Sequence, residues 1–498
     1  MFHRIAIVAL SFALSCTPSA PPPRSPATVP RAAAEPSPAA PPGAAGDAAP
    51  AARQFAAWLA AFNSRDRETL LAYHATSFAY DVAGGDVRDI DRELRLATGT
   101  GGFELRRSEE ATPTRFVAIL QERESDRFAR ATMEVAPDEP HRVTQFQIGP
   151  IPAPDGLAPP RMTEQDALAA LRAKIDAAVA RDEFSGAVLV AKHGVPIFAQ
   201  AYGFADRERK IPNTLDTRFR IGSMNKMFTA VATLQLVQAG ALALRDTLDR
   251  ILTAYPNHAV ASKVTIHHLL THTGGTGDIF GPEFQAHRLE LRTLQDYVMR
   301  FGSRDLKFEP GSSWDYSNFG FLLLGAVIEQ RTGQSYYDRV NSHVFQPAGM
   351  TSTSSPVEGP GDPGRAVAYT RRDAGSPWRS AVDTLPYRAT SAGGGDSTVT
   401  DLLRFANALQ GHKLLDAAHT ALLTTAKVAT PGNRAYAYGF EDTAIGGVRC
   451  VGHNGAAPGQ NGRLYLCDSG YTIAVLSNLD PPAADHLADF IKLRLPAS

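Results

Sequence analysis

Residues Thr217–Gly240 read TRFRIGSMNKMFTAVATLQLVQAG, and the fold and chemistry of the chain turn on them. Ile221-Gly222 ends an extended approach. From Met224 onward apolar residues recur at helical spacing (Met227, Phe228, Ala230, Val231, Leu234, Leu236, Val237), and Gly240 is a natural stop. This places Ser223 at a helix N-terminus with Lys226 one turn later on the same face. A serine hydroxyl is a weak nucleophile until a neighbour takes its proton. A lysine held close and partly desolvated can have its pKa lowered enough to do so. The helix N-terminus adds free N–H groups and a dipole that favour negative charge developing on a substrate. The plain alternative is an N-cap serine beside a solvated lysine. With 28 Ser and 9 Lys, chance alone gives about half an S-x-x-K match, so the motif needs partners from elsewhere.

Outward from this stretch, 498 residues at 44% hydrophobic and 20% charged are enough for two folded domains. Net charge is −1, Arg outnumbers Lys 41 to 9, and no basic block occurs, so nucleic-acid binding is not indicated. The N-terminus, MFHRIAIVALSFALSC, pairs a basic start at Arg4 with an apolar run from Ile5 to Leu14. That run is too short for a mature transmembrane helix and suits a secretory signal over residues 1–16. Its end, Ala13-Leu14-Ser15-Cys16, resembles the lipobox of bacterial lipoproteins, which implies lipidation of Cys16 and a periplasmic or cell-surface protein held at a membrane. Ala13 stands where that pattern prefers leucine, and simple secretion is the alternative. Residues 17–52 are Pro, Ala, Ser and Gly with almost no large apolar side chain, and read as a tether.

Residues 53–150 read as a small α+β unit. Phe55, Trp58, Leu59 and Phe62 form a helical stripe, and Leu70, Leu71 and Tyr73 suggest a second short helix. Four strand-like runs follow, 103–107, 115–122, 127–135 and 141–148. Their order resembles the NTF2-like (SnoaL-like) cone, with no paired acid and base standing out. Residues 151–162 form a Pro/Gly linker. The domain 163–498 opens with a helix, 164–181, and two strands, 186–192 and 196–201, joined at His193-Gly194. It closes with strands 447–453, 462–467 and 471–478 and a helix, 483–493. Strands at both ends of a mostly helical stretch imply an antiparallel sheet flanked by helices, with Ser223 at the seam.

Two further stretches join the S-x-x-K. Pro310–Gly320, PGSSWDYSNFG, is a turn entering an apolar helix and carries Y-x-N, preceded by VTIHHLLTHTGG at 264–275. Val451–Gly455, VGHNG, ends a strand. Together these resemble the serine β-lactamase/penicillin-binding-protein superfamily, nearest its class C β-lactamase, DD-peptidase and esterase branch, over roughly Thr163–Pro496. The resemblance implies an α+β β-lactamase/transpeptidase-like fold without cofactor or metal. It implies Ser223 as acylated nucleophile, Lys226 as the group sharing its proton, and Tyr316 as base, through Lys226 or as a phenolate, and then acid to the leaving group. Two nearby cations are expected to pull the Tyr316 pKa down. Asn318 is expected to orient Lys226 and substrate, and the backbone N–H groups of Ser223 and Ala456 to form the oxyanion hole. Gly455 is expected to let substrate lie against its strand.

His453 departs from the family, whose β-lactamases and DD-peptidases carry lysine there to hold a substrate carboxylate. Histidine implies an esterase- or peptidase-like member, able to donate to the intermediate or tune Tyr316, and places β-lactam hydrolysis in doubt. Arg463 either restores the missing charge or is an exposed strand arginine. Tyr255-Pro256-Asn257 is a rival Y-x-N, lies too near Lys226, and reads as an ordinary surface or packing tyrosine. His267, His268 and His272 fit no zinc spacing, and no G-x-S-x-G elbow occurs. Cys450 and Cys467 read equally as a disulfide or as two buried thiols. Loops 277–288 and 359–388 are expected to set specificity. The chain thus reads as an exported serine hydrolase of an ester, amide or D-amino-acid peptide. The alternative is a non-catalytic lipoprotein that senses cell-wall fragments or β-lactams with the same pocket.

Overall fold

The computed structural model describes residues 6–7, 49–79, 87–359, 362, 364–372, 375–431 and 434–498. Cys16 and most of the tether lie outside them. The chain divides into two compact units, the first made of residues before Pro150 and the second of Pro150–Ser498 together with Thr98–Gly102 and Gln121–Phe128.

The first unit opens with helices α1 (Pro50–Ser64), α2 (Arg67–Ser77) and α3 (Val87–Thr100). The α1 stripe buries Phe55, Trp58 and Phe62, and Asp66 caps α2 by accepting from the Thr69 N–H. Strands β1 (Phe103–Ala111), β2 (Arg115–Glu122), β3 (Phe128–Val135) and β4 (Val143–Ile151) follow, each beside the next, and a two-residue strand, Ala6–Ile7, runs parallel to β4. The helix α3 was not foreseen, because Ile90, Leu94 and Ala97 are a thin stripe in a charged stretch. It supplies Glu93, whose carboxylate accepts from Trp58 Nε1 at 2.6 Å and meets His74 Nε2 at 2.8 Å. This buried acid and base, absent from the sequence expectation, are 19 residues apart on different helices.

The second unit is built on an eight-stranded antiparallel sheet. Helix α4 (Glu164–Ala180) precedes β5 (Gly186–Lys192) and β6 (Val195–Tyr202). His193 and Gly194 both take positive φ (48° and 80°), the turn geometry that suits a two-residue hairpin. The remaining strands come from the far end of the chain: β7 (Val428–Thr430), β8 (Arg434–Tyr436), β9 (Glu441–Ile445), β10 (Val448–Ala457), β11 (Gln460–Cys467) and β12 (Tyr471–Ser477). The order is β7-β8-β9-β10-β11-β12-β5-β6, so the two chain ends meet where β12 pairs with β5.

Both faces of the central strands are buried, and the strand period of two sorts their side chains. Val188, Val190, Ile473 and Val475 pack with Leu171, Ile175 and Ile491 of α4 and the closing helix α8 (Ala483–Arg494). Ala187, Leu189, Ala474 and Leu476 face the other way, into the core of the helical insert. That insert holds α5 (Asn225–Gln238), α6 (Asn318–Thr332) and α7 (Val399–Gln410). Helices α5 and α6 are apolar around most of their circumference and run through the interior. Cys450 and Cys467 stand directly opposite on β10 and β11 and are joined as a disulfide. Tyr255 is buried in the insert core. Among the described residues no helix is long and apolar enough to cross a membrane.

Candidate active site

A tight turn, Gly222–Met224, carries Ser223 into α5. Gly222 takes φ 53°, and the strand end at Gly455 presses on it from behind. A Cβ at Gly455 would lie 1.9 Å from the Ile221 carbonyl oxygen. The glycine at 455 is therefore required by the chain's own backbone. The same contact brings Ala456 beside the turn, its backbone N 3.1 Å from where a Cβ on Gly222 would stand. Asn461 fixes this strand end by donating to the Gly455 carbonyl at 2.9 Å.

On the other side, Phe219–Arg220 pairs antiparallel with Asp396–Ser397, and Gly394 N donates to Gly222 O at 3.1 Å. Gly325 of α6 lets the preceding residues come close, since a Cβ there would lie 2.3 Å from Ser391 Oγ. These contacts aim the Ala392 carbonyl at Lys226.

Lys226 is fully buried, and its Nζ has three neighbours: Ala392 O at 2.5 Å, Asn318 Oδ1 at 2.7 Å and Ser223 Oγ at 3.2 Å. The two carbonyl oxygens can only accept. A neutral amine has two N–H groups for them and one lone pair, which is left pointing at the Ser223 hydroxyl. Burial lowers the Lys226 pKa to about 7, with Asp278 pulling the other way. Near neutral pH a large fraction of Lys226 is thus the free base, aimed at the serine.

Tyr316 lies in the loop that enters α6, where Ser317 caps the helix through Gly320 N and Asn318 takes its first turn. The Lys226 ammonium position is 4.7 Å from the Tyr316 ring centre, and the phenol hydrogen-bonds Ser223. Its pKa moves opposite to the sequence expectation. Burial raises it well above 10, reinforced by Glu441 and Asp278, and the bond to Ser223 offsets only part of that. Of the two cations expected to lower it, His453 is pushed down to about 4 and is uncharged near neutral pH, while Lys226 at about 7 keeps its charge only part of the time. Tyr316 therefore stays a protonated donor.

His453 is buried, mainly for which reason it remains neutral. Its Nδ1 lies 2.6 Å from the Asn454 carbonyl and must carry the proton, so Nε2 accepts from Tyr436 Oη at 3.0 Å. Both ring nitrogens are engaged, which leaves no N–H for the intermediate and corrects that expectation. Arg463 is buried too, not exposed. It pairs with Glu441 and with Asp485 at 3.1 Å, so it supplies no free charge.

Three groups here escaped the sequence reading. Tyr436 holds His453. His272 accepts from Ser317 N at 3.1 Å and lies 4.3 Å, centre to centre, from the Tyr316 ring. Asp278 accepts from the backbone N and side-chain Nδ2 of Asn318. Of the other histidines, His267 meets Tyr438 Oη and His268 accepts from Thr265 N at a helix start. The three histidine side chains thus go to three different partners.

The Beta-lactamase family model matches residues 171–497. Penicillin-binding protein 4* of Bacillus subtilis is 34% identical over 177 residues, 35% of this chain and 38% of that protein. Esterase EstB of Burkholderia gladioli is 40% identical over 196 residues, 36% of this chain and 50% of the esterase. The chain thus spans half or less of the length of these two relatives. Among solved structures, a D-stereospecific amidohydrolase from Streptomyces sp. superposes with a TM-score of 0.56 at 29% identity, covering 64% of this chain and 96% of that one.

Proposed function

The chain belongs to the Beta-lactamase family, and from that premise we propose that it is a serine hydrolase working through an acyl-enzyme on Ser223, with an ester, amide or D-amino-acid peptide as substrate. One observation carries the reading: Lys226 Nζ lies 3.2 Å from Ser223 Oγ while two carbonyl acceptors hold it in place, so that in the free-base form its lone pair faces the serine. Ser223 Oγ attacks the acyl carbon while its proton passes to Lys226. The backbone N–H groups of Ser223 and Ala456 receive the oxyanion. The bond to the leaving oxygen or nitrogen then breaks as Tyr316 donates its proton, and Lys226 returns one to the phenol. Water repeats the sequence, releasing the acid and restoring Ser223.

The phenol's raised pKa supports this division of labour. A strongly protonated tyrosine suits the acid to the leaving group, and the amine with a pKa of about 7 suits the base. Asn318 orients the amine. Neutral His453 and neutralised Arg463 give a substrate carboxylate no fixed cation, which favours uncharged acyl groups over β-lactams. The esterase and amidohydrolase relatives support the same choice.

Export is part of the proposal, on the strength of residues 1–16, with Cys16 as the lipidated anchor in a periplasmic or cell-surface protein. The three helices followed by four sequentially neighbouring strands before Pro150 support an NTF2-like reading of that unit. The test of the main reading is treatment with a fluorophosphonate and with a fluorescent penicillin, followed by intact mass. An adduct that disappears in Ser223→Ala is the expected result. Absence of any adduct, with no turnover of an ester and D-peptide panel, sinks the reading in favour of a non-catalytic binder.

A further inference from the structure

Asp278 stands outside the reacting groups yet is joined to them by a short polar chain. Its Oδ1 accepts from Asn318 N at 3.0 Å and from Ile279 N at 2.8 Å, and its Oδ2 accepts from Asn318 Nδ2 at 3.1 Å. A carboxylate only accepts, so the Asn318 amide must turn its NH2 toward Asp278 and its oxygen toward Lys226. The reverse orientation would set oxygen against carboxylate and NH2 against amine, two repulsions in a buried site. The loop that carries Asp278 is itself pinned: Ser317 Oγ donates to Gly277 O at 2.5 Å, and Arg304 Nη1 to Asp278 O at 2.9 Å.

We propose that Asp278 is a positioning residue for the hydrolase reaction, clamping Asn318 so that its oxygen fixes the lone pair of Lys226 on Ser223, and acting as a carboxylate, without an ion-pair partner among the described residues, that tunes the basicity of this amine. The inference rests on the hydrolase reading above. The other titratable groups facing Lys226 are Tyr316 on the same loop as Asn318, His272 behind it and His453 on β10. Burial keeps the phenol protonated and both histidines uncharged near neutral pH. Glu441, beyond Tyr316, is neutralised by Arg463. A negative charge near a buried amine favours its protonated form, so Asp278 opposes the burial that lowers Lys226.

Two variants weigh the charge against the clamp. Asp278→Asn removes the charge and keeps the size and one acceptor oxygen for the Asn318 and Ile279 N–H groups, but sets an NH2 against Asn318 Nδ2 and so loosens the clamp on that side. The acidic limb of its kcat/KM profile is expected to move to lower pH by about one unit, with kcat lowered less than tenfold. Asp278→Ala loses the clamp as well and is expected to lose about 10- to 100-fold in kcat with KM little changed. Thermal melting of both proteins separates folding loss from catalytic loss. If wild type acylates and Asp278→Asn retains the wild-type limb, the inference is overturned while the hydrolase reading stands. An equal loss of rate in both variants at every pH also overturns it, since a purely structural role does that. If wild type forms no adduct on Ser223, the hydrolase reading itself has failed.

Discussion

Lys226 and Arg463 are both cations buried to the last atom or nearly so, and the protein treats them oppositely. Arg463, on β11, faces the carboxylates of Glu441 and Asp485, which hold its guanidinium protonated and push its pKa up against the cost of burial. Lys226, at the start of α5, touches two carbonyl oxygens and a hydroxyl, and the nearest carboxylate stands one residue further away behind Asn318. Its pKa falls to about 7. Burial costs both groups their hydration. What differs is whether a carboxylate meets the charge directly. A paired cation is a fixed part of the sheet, and an unpaired one among neutral acceptors becomes a base that can give and take a proton at working pH.

The largest effect expected from this contrast is on rate. Lys226→Met removes the amine from a buried slot, and ester turnover is expected to fall by about 10³-fold or more. Steady-state kinetics beside Ser223→Ala as background measures it, and a loss under tenfold would break the contrast. Arg463→Met should act on stability instead. It leaves Glu441 and Asp485 buried without their partner, for a loss of about 3–5 kcal/mol. Urea unfolding gives the value, and a near-neutral result would mean the pair is not what holds β9 to β11.

The same Lys226→Met protein should be more stable than wild type at pH 7, by about 1–3 kcal/mol. The sign follows from proton counting. Between pH 7 and 10.5 an unfolded lysine is protonated and the folded one largely is not, so folding expels a proton and wild-type stability rises with pH across that window. The advantage of the variant should shrink toward pH 10.5, and a melting series from pH 7 to 10 checks this. A variant less stable at pH 7 would show that the hydrogen bonds of Nζ outweigh its desolvation. The smallest effect belongs to Tyr436→Phe. It deprives His453 Nε2 of its donor, and should lower stability by about 1 kcal/mol and kcat by only a few-fold.

The elements that carry the chemistry were legible because each announces itself locally. S-x-x-K sits at the start of an apolar helical run, and Y-x-N follows a Pro-Gly turn into another. The longer strands of both units were legible, with limits that agree within a few residues, but β7, β8 and β9, of three to five residues each, were not foreseen, because runs that short carry too little pattern to read. What failed was whatever depends on the environment built by distant chain. The Ala392 carbonyl reaches Lys226 from 166 residues away, and any residue type offers a carbonyl. Asp278 and His272 meet the Y-x-N loop across 40 and 45 residues, and an Asp in a loop or a His after a helix has many ordinary uses. The burial of Arg463 is not legible, because an arginine alone in a strand is usually exposed. Here β11 is central and buried on both faces, and two carboxylates make that tolerable. The direction of the Tyr316 shift was missed for the same reason. The sequence displays its cationic neighbours but not the burial that discharges them.

The pH dependence of Ser223 acylation tests the central claim most directly. The rate of adduct formation with a fluorophosphonate, whose own charge does not change between pH 5 and 9, should be read by intact mass. A rate that climbs about tenfold per pH unit below 7 and levels above it is what a free-base Lys226 requires. A rate unchanged across the whole range, with the adduct still on Ser223, would contradict it.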